Sequence, residues 1–193
     1  PNDALVGKRL EDLAVGATIA TGSVRRRAQL MRVRPDLQFV DLRGNIQTRL
    51  SKIPDGGAIV MAVAALEILG MTSHIAEVLD LDVAVPMVGQ GSVAIEARTD
   101  DTETRAILAL IDHAKSRRAV ETERAFLAEL GAGCSLPVGA HLSNDGVFRA
   151  FMANDDFSDS VQIVGSIGDS DDNRVVGITA AIECRTRLAK PIN

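Results

Sequence analysis

Residues 21–30, TGSVRRRAQL, combine two hydroxyl side chains with three consecutive arginines. Thr21 and Ser23 follow a short apolar run and precede a helical pattern, so they predict the N-terminal cap of a helix. The first turn of a helix favours anions, and guanidinium groups bind carboxylates through paired hydrogen bonds. The pattern predicts a site for a ligand that carries carboxylates or phosphates. A capped helix with a solvated basic face fits the same spacing about equally well.

A second basic motif, DLRGNIQTRL, occupies residues 41–50. Arg43 follows a predicted strand and Arg49 comes about two helical turns later, so both can face one cleft with Arg25 and Arg26. An arginine after a strand is usually a surface residue when it is taken alone. Residues 25–52 nevertheless hold eight Arg and Lys against two Asp, and this excess predicts that the segment attracts anions.

The two cysteines of the chain differ in their settings. Cys134 lies in the glycine-rich stretch GAGCSLPVG, residues 131–139, between a predicted helix and a predicted strand. A cysteine in such a loop can be exposed, and a nearby helix terminus or arginine can favour its thiolate, so that it acts as a covalent anchor. Taken alone, a buried and inert thiol is the commoner outcome. Cys184, in an apparent amphipathic helix, is assigned that inert role.

The composition narrows the class of protein. The chain has 193 residues, 46% hydrophobic and 3% aromatic, enough for an aliphatic core that needs no disulfide or metal. No apolar run approaches the ~18 residues of a membrane span, and residues 1–13 show no apolar region typical of a secretory signal, so we expect a cytoplasmic protein. The cysteines lack the C-x-x-C spacing of zinc sites. Nucleic-acid binding ranks last, because the net charge is −5 and the chain has no Tyr or Trp for base stacking.

The elements that must position these residues alternate in the first half of the chain. Strand-like runs at 17–20, 38–42 and 58–63 are each followed by a helical pattern, at 24–33, 46–52 and 64–69. A further helical piece is predicted at 75–79. This alternation favours an α/β domain with a mostly parallel sheet, whose ligands bind at the carboxyl ends of the strands. The arginines fall at those ends.

The second half predicts a different architecture. Residues 83–98 predict extended structure with a hinge at Val88-Gly89-Gln90-Gly91, and residues 102–130 predict one helix. Strands at 136–142 and 147–153 flank the turn sequence SNDG, residues 161–167 supply a third antiparallel strand, and 177–188 form a last helix. We therefore expect an α/β domain over 1–87, a hinge segment over 88–112 that returns to a first domain, and a small α+β domain over 113–193.

Five motifs in a fixed order make this chain resemble a known family. The order is T-x-S-[LV]-R-R-x-x-Q-L, R-G-N-x-x-T-R-L, V-G-Q-G-[AS], E-R-A-F-L and G-x-G-C-S-x-P-[VI]-G, within residues 5–153. A chain with all five resembles the porphobilinogen deaminase family, and five ordered motifs are far more specific than any one of them. The resemblance implies a parallel-sheet α/β domain like those of type II periplasmic binding proteins. A small α+β domain with a three-stranded antiparallel sheet would follow it.

The resemblance also implies the chemistry. In this family a loop cysteine holds a dipyrromethane cofactor through a thioether, and Cys134 is the matching position. The other matching cofactor-binding residues are Ser23, Arg25, Arg26, Arg43 and Gly44, and the matching substrate-binding residues are Arg43, Arg49 and Gln90. The implied activity is that of a hydroxymethylbilane synthase, a transferase of tetrapyrrole (haem, chlorophyll) biosynthesis. It deaminates four porphobilinogen molecules and joins them head to tail on the dipyrromethane primer.

Departures from the family pattern bear on activity. The early R-x-S-x-L-A motif and the S-x-K-D-x-P motif, which holds the family's principal catalytic aspartate, have no counterpart in this sequence. The resemblance therefore assigns no catalytic residue here, and it predicts that these 193 residues alone are inactive. The expected partners are porphobilinogen and the family's N-terminal domain, with no nucleic acid or membrane, and the family is usually monomeric. Residues 154–193 match the family weakly.

One alternative from another class stays open. A non-catalytic anion-binding module of the periplasmic-binding-protein type would share the fold and the basic cleft, but it would not turn its ligand over. A covalently held pyrrole on Cys134 would decide between the two.

Overall fold

The computed structural model describes residues 1–131, 136–168 and 170–189. Its helices and strands are β1 Asp3–Gly7, β2 Thr18–Ala20, α1 Val24–Val33, β3 Gln38–Val40, α2 Ile46–Leu50, β4 Ala58–Ala62, α3 Val63–Ile68, a 3₁₀ turn Thr72–His74, β5 Ile75–Val78, α4 Thr102–Ala109, α5 Ala114–Glu129, β6 Val138–Leu142, β7 Val147–Ala153, β8 Ser160–Ser166 and α6 Asn173–Leu188.

The first sheet has five strands in the order β3-β2-β4-β1-β5. Strand β2 is parallel to β3 and β4, whereas β1 is antiparallel to both β4 and β5. The sheet is therefore mixed, which corrects the prediction of a mostly parallel one. The reason is β1, a strand that the sequence patterns did not reveal and that inserts between β4 and β5. The α/β class is confirmed, while the likeness to periplasmic binding proteins stays a prediction.

The buried strands of this sheet carry apolar side chains on both faces. Leu5 and Ile19 belong to the core on one face, and Val6 and Ile59 belong to the core on the other. Such two-sided burial is typical of strands covered by helices or loops on both sides. Since β2 and β3 run in the same direction, their carboxyl ends lie at one edge of the sheet. Helices α1 and α2 begin beyond that edge, where the basic motifs lie.

The second sheet is antiparallel, with the order β6-β7-β8. Helices α5 and α6 pack against it around a core that includes Phe126, Phe148 and Cys184. The rings of Phe126 and Phe148 meet edge to face, with centroids 6.4 Å apart. The predicted small α+β unit with a three-stranded antiparallel sheet is confirmed.

Two predicted helices are wrong. Residues 75–79 form strand β5 instead of a helix, because β5 supplies the hydrogen bonds that the edge of β1 needs. The predicted single helix over 102–130 is two helices, α4 and α5. His113 starts the second one, because its ring nitrogen accepts a hydrogen bond from the backbone N–H of Ser116 at 3.3 Å.

Smaller differences concern the ends of elements and the hinge segment. Helix α6 begins at Asn173, before the predicted 177, because the Asp172 side chain caps its first turn. No helix or strand includes any of residues 83–98, so the predicted extended structure there is not sheet. This segment, α4 and the two residues that follow α4 leave five large apolar side chains exposed: Val93, Ile95, Ile107, Leu110 and Ile111. No helix within the described ranges is long and apolar enough to cross a membrane.

The two sheets are joined through contacts behind α1. The backbone N–H of Ala140 donates to the carbonyl of Pro86 at 3.1 Å, and Arg149 Nε donates to Asp82 Oδ1 at 2.7 Å. Ala28 of α1 packs in one buried cluster with Phe151 of β7. Helix α1 is therefore held by both units. The boundaries predicted at 87/88 and 112/113 stay predictions.

Candidate functional site

The turn between β2 and α1 is fixed by its own side chains. Ser23 caps α1, and its hydroxyl accepts a hydrogen bond from the backbone N–H of Arg26 at 3.4 Å. Thr21 Oγ1 accepts one from the Ser23 N–H at 3.2 Å. A Cβ at Gly22 would lie 2.8 Å from the carbonyl oxygen of Leu42, so only glycine allows this close approach to the chain two residues after β3. The two basic motifs are thereby brought side by side.

The second motif folds into a short helix beside this turn. Asn45 caps α2 by accepting a hydrogen bond from the backbone N–H of Thr48 at 2.9 Å. Gly44 has φ +124°, a conformation that side chains other than glycine rarely adopt. The Arg49 side chain turns back over this glycine, and its Nε donates to the Gly44 carbonyl at 2.8 Å. Arg43 pairs with Asp41 at 3.1 Å and is 78% exposed.

Two adjoining cavities lie over the carboxyl edge of β2 and β3. The larger, about 450 Å³, combines Arg26, Gly44 and Arg49 with an apolar wall that includes Met61, Ala65 and Leu69. The smaller, about 210 Å³, is lined by hydroxyl and basic side chains: Thr21, Ser23, Arg26, Arg43 and Arg49. Arg26 and Arg49 border both cavities. We call Ser23, Arg26, Arg43, Gly44 and Arg49, with these two cavities, the arginine cleft.

Arg25 lies outside this cleft, although the sequence grouped it with the others. Its residue is 3% exposed, its Nη1 donates to the carbonyl of Val85 at 2.6 Å, and its Nη2 lies 2.8 Å from Asp3 Oδ2. Burial lowers the pKa of Arg25, and the Asp3 carboxylate partly offsets that effect. The structure thus separates the neighbours Arg25 and Arg26: one faces the hinge segment and the other faces the cleft.

Asp3 is a functional candidate that the sequence did not reveal. It is completely buried at the start of β1, and its Oδ1 accepts hydrogen bonds from Arg26 Nε at 3.1 Å and Arg26 Nη2 at 2.7 Å. Burial alone would raise the pKa of Asp3, but the charges of Arg25 and Arg26 and their hydrogen bonds lower it overall. A single aspartate before an apolar run carries no signal of such a role. Its partners lie 22 and 23 positions away.

Gln90, the predicted hinge residue, also contacts this aspartate. Its Nε2 donates to Asp3 Oδ1 at 2.9 Å and to the carbonyl of Pro1, and its Oε1 accepts from Arg25 Nη2 at 3.1 Å. The Gln90 side chain is directed at the buried ion pair of Asp3 and Arg25, and it borders neither cavity. The structure therefore places Gln90 outside the arginine cleft, beside the carboxylate that holds Arg26.

The two cysteines can be described only in part. Cys134, the predicted anchor, lies outside the described residues. Cys184 is completely buried in α6, and burial, followed by the charge of Glu183, raises the pKa of its thiol to about 12. An inert thiol at this position agrees with the sequence analysis. Within the described ranges, no three His, Cys, Asp or Glu side chains are grouped so that they could hold a metal ion.

Comparison with known proteins identifies the family. The family model for the porphobilinogen deaminase dipyromethane cofactor binding domain matches residues 1–106, and the one for the porphobilinogen deaminase C-terminal domain matches residues 117–186. The chain belongs to the porphobilinogen deaminase family. The first match contains every residue of the arginine cleft, so the described site lies in the part of the family associated with the cofactor.

Curated relatives agree with this membership. The porphobilinogen deaminase of Roseiflexus sp. (strain RS-1) is 49% identical over 152 residues, which cover 75% of this chain and 50% of the relative. That of Desulforudis audaxviator is 47% identical over 145 residues, 72% of this chain and 47% of the relative. That of Trichlorobacter lovleyi is 37% identical over 199 residues, 98% of this chain and 60% of the relative. The chain spans about half the length of the curated relatives it matches.

Proposed function

We propose that this protein works as a hydroxymethylbilane synthase, which joins porphobilinogen units on a dipyrromethane primer in tetrapyrrole biosynthesis. The observation that carries the proposal is the arginine cleft in a chain of this family: Arg26, Arg43 and Arg49 surround one opening at the carboxyl edge of β2 and β3. Fixed cations at one opening favour ligands with several carboxylates. A cytoplasmic location and a monomeric state belong to this proposal and rest on the resemblance.

The residues present fit a pyrrole that carries acidic side chains. Arg43 is mostly exposed and donates through Nε to Asp41, so its two Nη groups remain for a ligand carboxylate. Arg49 uses Nε for the Gly44 carbonyl and borders both cavities. The apolar wall of Met61, Ala65 and Leu69 suits the face of a flat ring. The charged rim suits the carboxylates of such a ligand, and the apolar wall suits its ring.

The primer, when bound, supplies the free pyrrole carbon to which the first substrate is joined. The described residues then have binding and orienting roles. Arg26 is held in place and can fix one carboxylate, whereas exposed Arg43 can follow a carboxylate as the chain grows. The capped turn at Ser23 keeps a helix N-terminus at the smaller cavity, where it favours anions. Direct ligand contacts by Arg25 and Gln90 stay predictions, since both side chains contact Asp3.

The chemistry is divided between these residues and the N-terminal domain of the family. The aspartate that the family uses at the reacting carbon has no counterpart by motif among these 193 residues, so we place that carboxylate on the N-terminal domain of the family. The exposed apolar side chains Val93, Ile95, Ile107 and Leu110 give that domain a surface to pack on. A polypeptide of these residues alone is expected to make no hydroxymethylbilane, and a separately supplied N-terminal domain is expected to restore synthesis.

The anchor provides the test. The full-length protein is incubated with porphobilinogen, uroporphyrin is measured after oxidation of the product, and intact mass reports a covalent dipyrromethane. Cys134→Ser is expected to give a folded protein without the added mass and without turnover. The matched control, Cys184→Ala, is expected to keep both the added mass and the turnover. Added mass on the Cys134→Ser protein would overturn the assignment of the anchor. Binding of porphobilinogen without covalent mass or turnover in the unaltered protein would favour the anion-binding module.

A further inference from the structure

The guanidinium of Arg26 has a rigid side and an open side. Its Nε and Nη2 donate to Asp3 Oδ1, and its Nη1 donates to the backbone carbonyl of Val60 at 3.2 Å. Its side chain is 13% exposed, and that remaining surface borders both cavities of the arginine cleft. Arg26 therefore differs from Arg43, which is mostly exposed and held by a single exposed carboxylate.

The carboxylate that holds Arg26 is itself fixed from several directions. Asp3 Oδ2 lies against Arg25 Nη2, and Gln90 Nε2 donates to Oδ1 at 2.9 Å. The backbone of Asp3 is also tied into the sheet, where it pairs with Ala62 of β4 and accepts from the Leu79 N–H. Neither the side chain nor the backbone of Asp3 can shift without breaking several of these bonds.

Stability alone is a weak reason for this arrangement. Burying one carboxylate and two guanidinium groups has a desolvation cost that their attraction often fails to exceed. Apolar residues of similar size in their place often give a folded state that is at least equally stable. The arrangement does give Arg26 one fixed orientation. A long arginine side chain otherwise samples many rotamers, and a ligand that binds it must restrict them.

We infer that Asp3 is a positioning residue for the arginine cleft: its buried carboxylate sets the orientation in which Arg26 offers its free N–H groups to a ligand carboxylate. The inference rests on the proposed function for the identity of that ligand. Arg25 adds a second cation against Asp3 Oδ2, which favours the ionised carboxylate and fixes its second oxygen. Gln90 ties the carboxylate to the hinge segment. Asp3 itself does not border either cavity.

Four variants of the full-length protein separate orientation from folding. Asp3→Asn keeps the shape of the side chain and removes its charge. Arg25→Met removes the buried cation that does not face the cleft. The double variant Asp3→Asn/Arg25→Met also removes the carboxylate, so that Arg26 keeps its charge without its partner Asp3 and without a buried Arg25 beside it. Comparison of Arg25→Met with the double variant therefore isolates the effect of Asp3 on Arg26. Asp36→Asn, in the exposed ion pair with Arg34, is the matched control.

Two readouts are needed, and one of them does not depend on activity. The first is KM for porphobilinogen against kcat. The second is the Nε–H signal of Arg26 in the ¹⁵N spectrum, assigned by its loss in Arg26→Lys. The hydrogen bond to Asp3 protects that proton from exchange with water, whereas a merely structural loss elsewhere would leave the signal unchanged.

We expect Asp3→Asn to raise KM about tenfold, with kcat within about threefold of the unaltered protein, because pre-orientation of a charged hydrogen bond is lost. The Arg26 Nε–H signal should broaden or vanish, and Asp36→Asn should change neither readout. If Asp3→Asn fails to fold, the pair Arg25→Met and double variant gives the same comparison. An equal KM within either pair, or an unchanged Arg26 signal, would overturn the inference. Absence of turnover in the unaltered protein would instead reject the proposed function, while the Arg26 signal still tests the positioning.

Discussion

Oε2 of Glu123 accepts a hydrogen bond of 2.7 Å from the backbone N–H of Gly89, which ties helix α5 to the hinge segment. The same buried carboxylate uses Oε1 to accept from the Leu142 N–H at 3.0 Å and lies 3.0 Å from His141 Nδ1. One side chain thus joins the hinge, α5 and β6. This helix ends just before the stretch that carries Cys134.

Glu123→Gln should destabilise the protein by roughly 1–3 kcal/mol, the usual cost of leaving a buried donor unpaired. The amide keeps one acceptor oxygen but presents an N–H group to one of the two backbone donors. Urea unfolding measures the free energy of unfolding. Glu129→Gln is the control, because that residue lies on the same helix in a half-exposed pair with Arg185 and should change it by less than about 0.5 kcal/mol. Equal losses in both variants would contradict the role of Glu123.

Arg43→Lys should raise KM for porphobilinogen about tenfold although the charge is kept. The ammonium group is a point charge, and it cannot form the two parallel hydrogen bonds by which a guanidinium group binds a carboxylate. Steady-state kinetics on the full-length protein measures the change. Arg9→Lys, in an exposed pair with Glu11 away from the cleft, should leave KM unchanged. A KM for Arg43→Lys equal to that of the Arg9 variant would show that Arg43 makes no paired contact.

Cys184 should resist alkylation by iodoacetamide at pH 8 in the folded protein and react readily after unfolding. Its thiol pKa of about 12 leaves almost no thiolate at that pH. The raised pKa also means that Cys184 favours the folded state below its ordinary pKa of 9.0, and that this contribution is lost as the pH rises towards 12. Cys184→Ala should therefore weaken the pH dependence of unfolding in that window. Peptide mass mapping checks the alkylation, and rapid labelling of folded Cys184 would refute its burial.

The sequence predicts the local features of the cleft well and the distant ones poorly. The cap at Ser23 and the turn at Gly44 depend on residues within a few positions, so the motifs around them predict the start of α1 and α2. Strand β5 could not be recognised from 75–79, since an apolar spacing that suits a helix also suits an edge strand. The choice depends on β1, about 70 residues earlier in the chain.

The separation of Arg25 from Arg26 was equally hidden. Successive residues on a helix point in directions about 100° apart, so neighbours in one motif need not share a site. What decides their roles is Asp3 on β1, together with Val85 just before the hinge segment and Gln90 within it. Asp3 and Val85 show no pattern that marks them as part of the site. The V-G-Q-G motif marks Gln90, but it does not predict the contact of Gln90 with Arg25, because such contacts arise only when the chain folds.

Arg27, the residue after Arg26 in α1, contacts an aromatic ring in each of the two units. The guanidinium carbon of Arg27 lies 5.7 Å from the ring centroid of Phe39 on β3 and 5.3 Å from that of Phe157, in the loop between β7 and β8. Each such contact contributes about 0.5–1 kcal/mol at an exposed site. Arg27→Gln should therefore lower the free energy of unfolding by about 1–2 kcal/mol.

A double-mutant cycle with Phe157→Leu isolates the contact between the units. Leucine keeps the apolar contact with Phe151 and its neighbours but removes the aromatic face. We expect a coupling of about 0.5–1 kcal/mol between positions 27 and 157, measured by urea unfolding of the four proteins. Raised salt should reduce this coupling only slightly, since the cation and the ring are in direct contact. Additive effects of the two substitutions would mean that Arg27 is held by Phe39 alone, and that the loop of the second unit does not stabilise α1 through this cation.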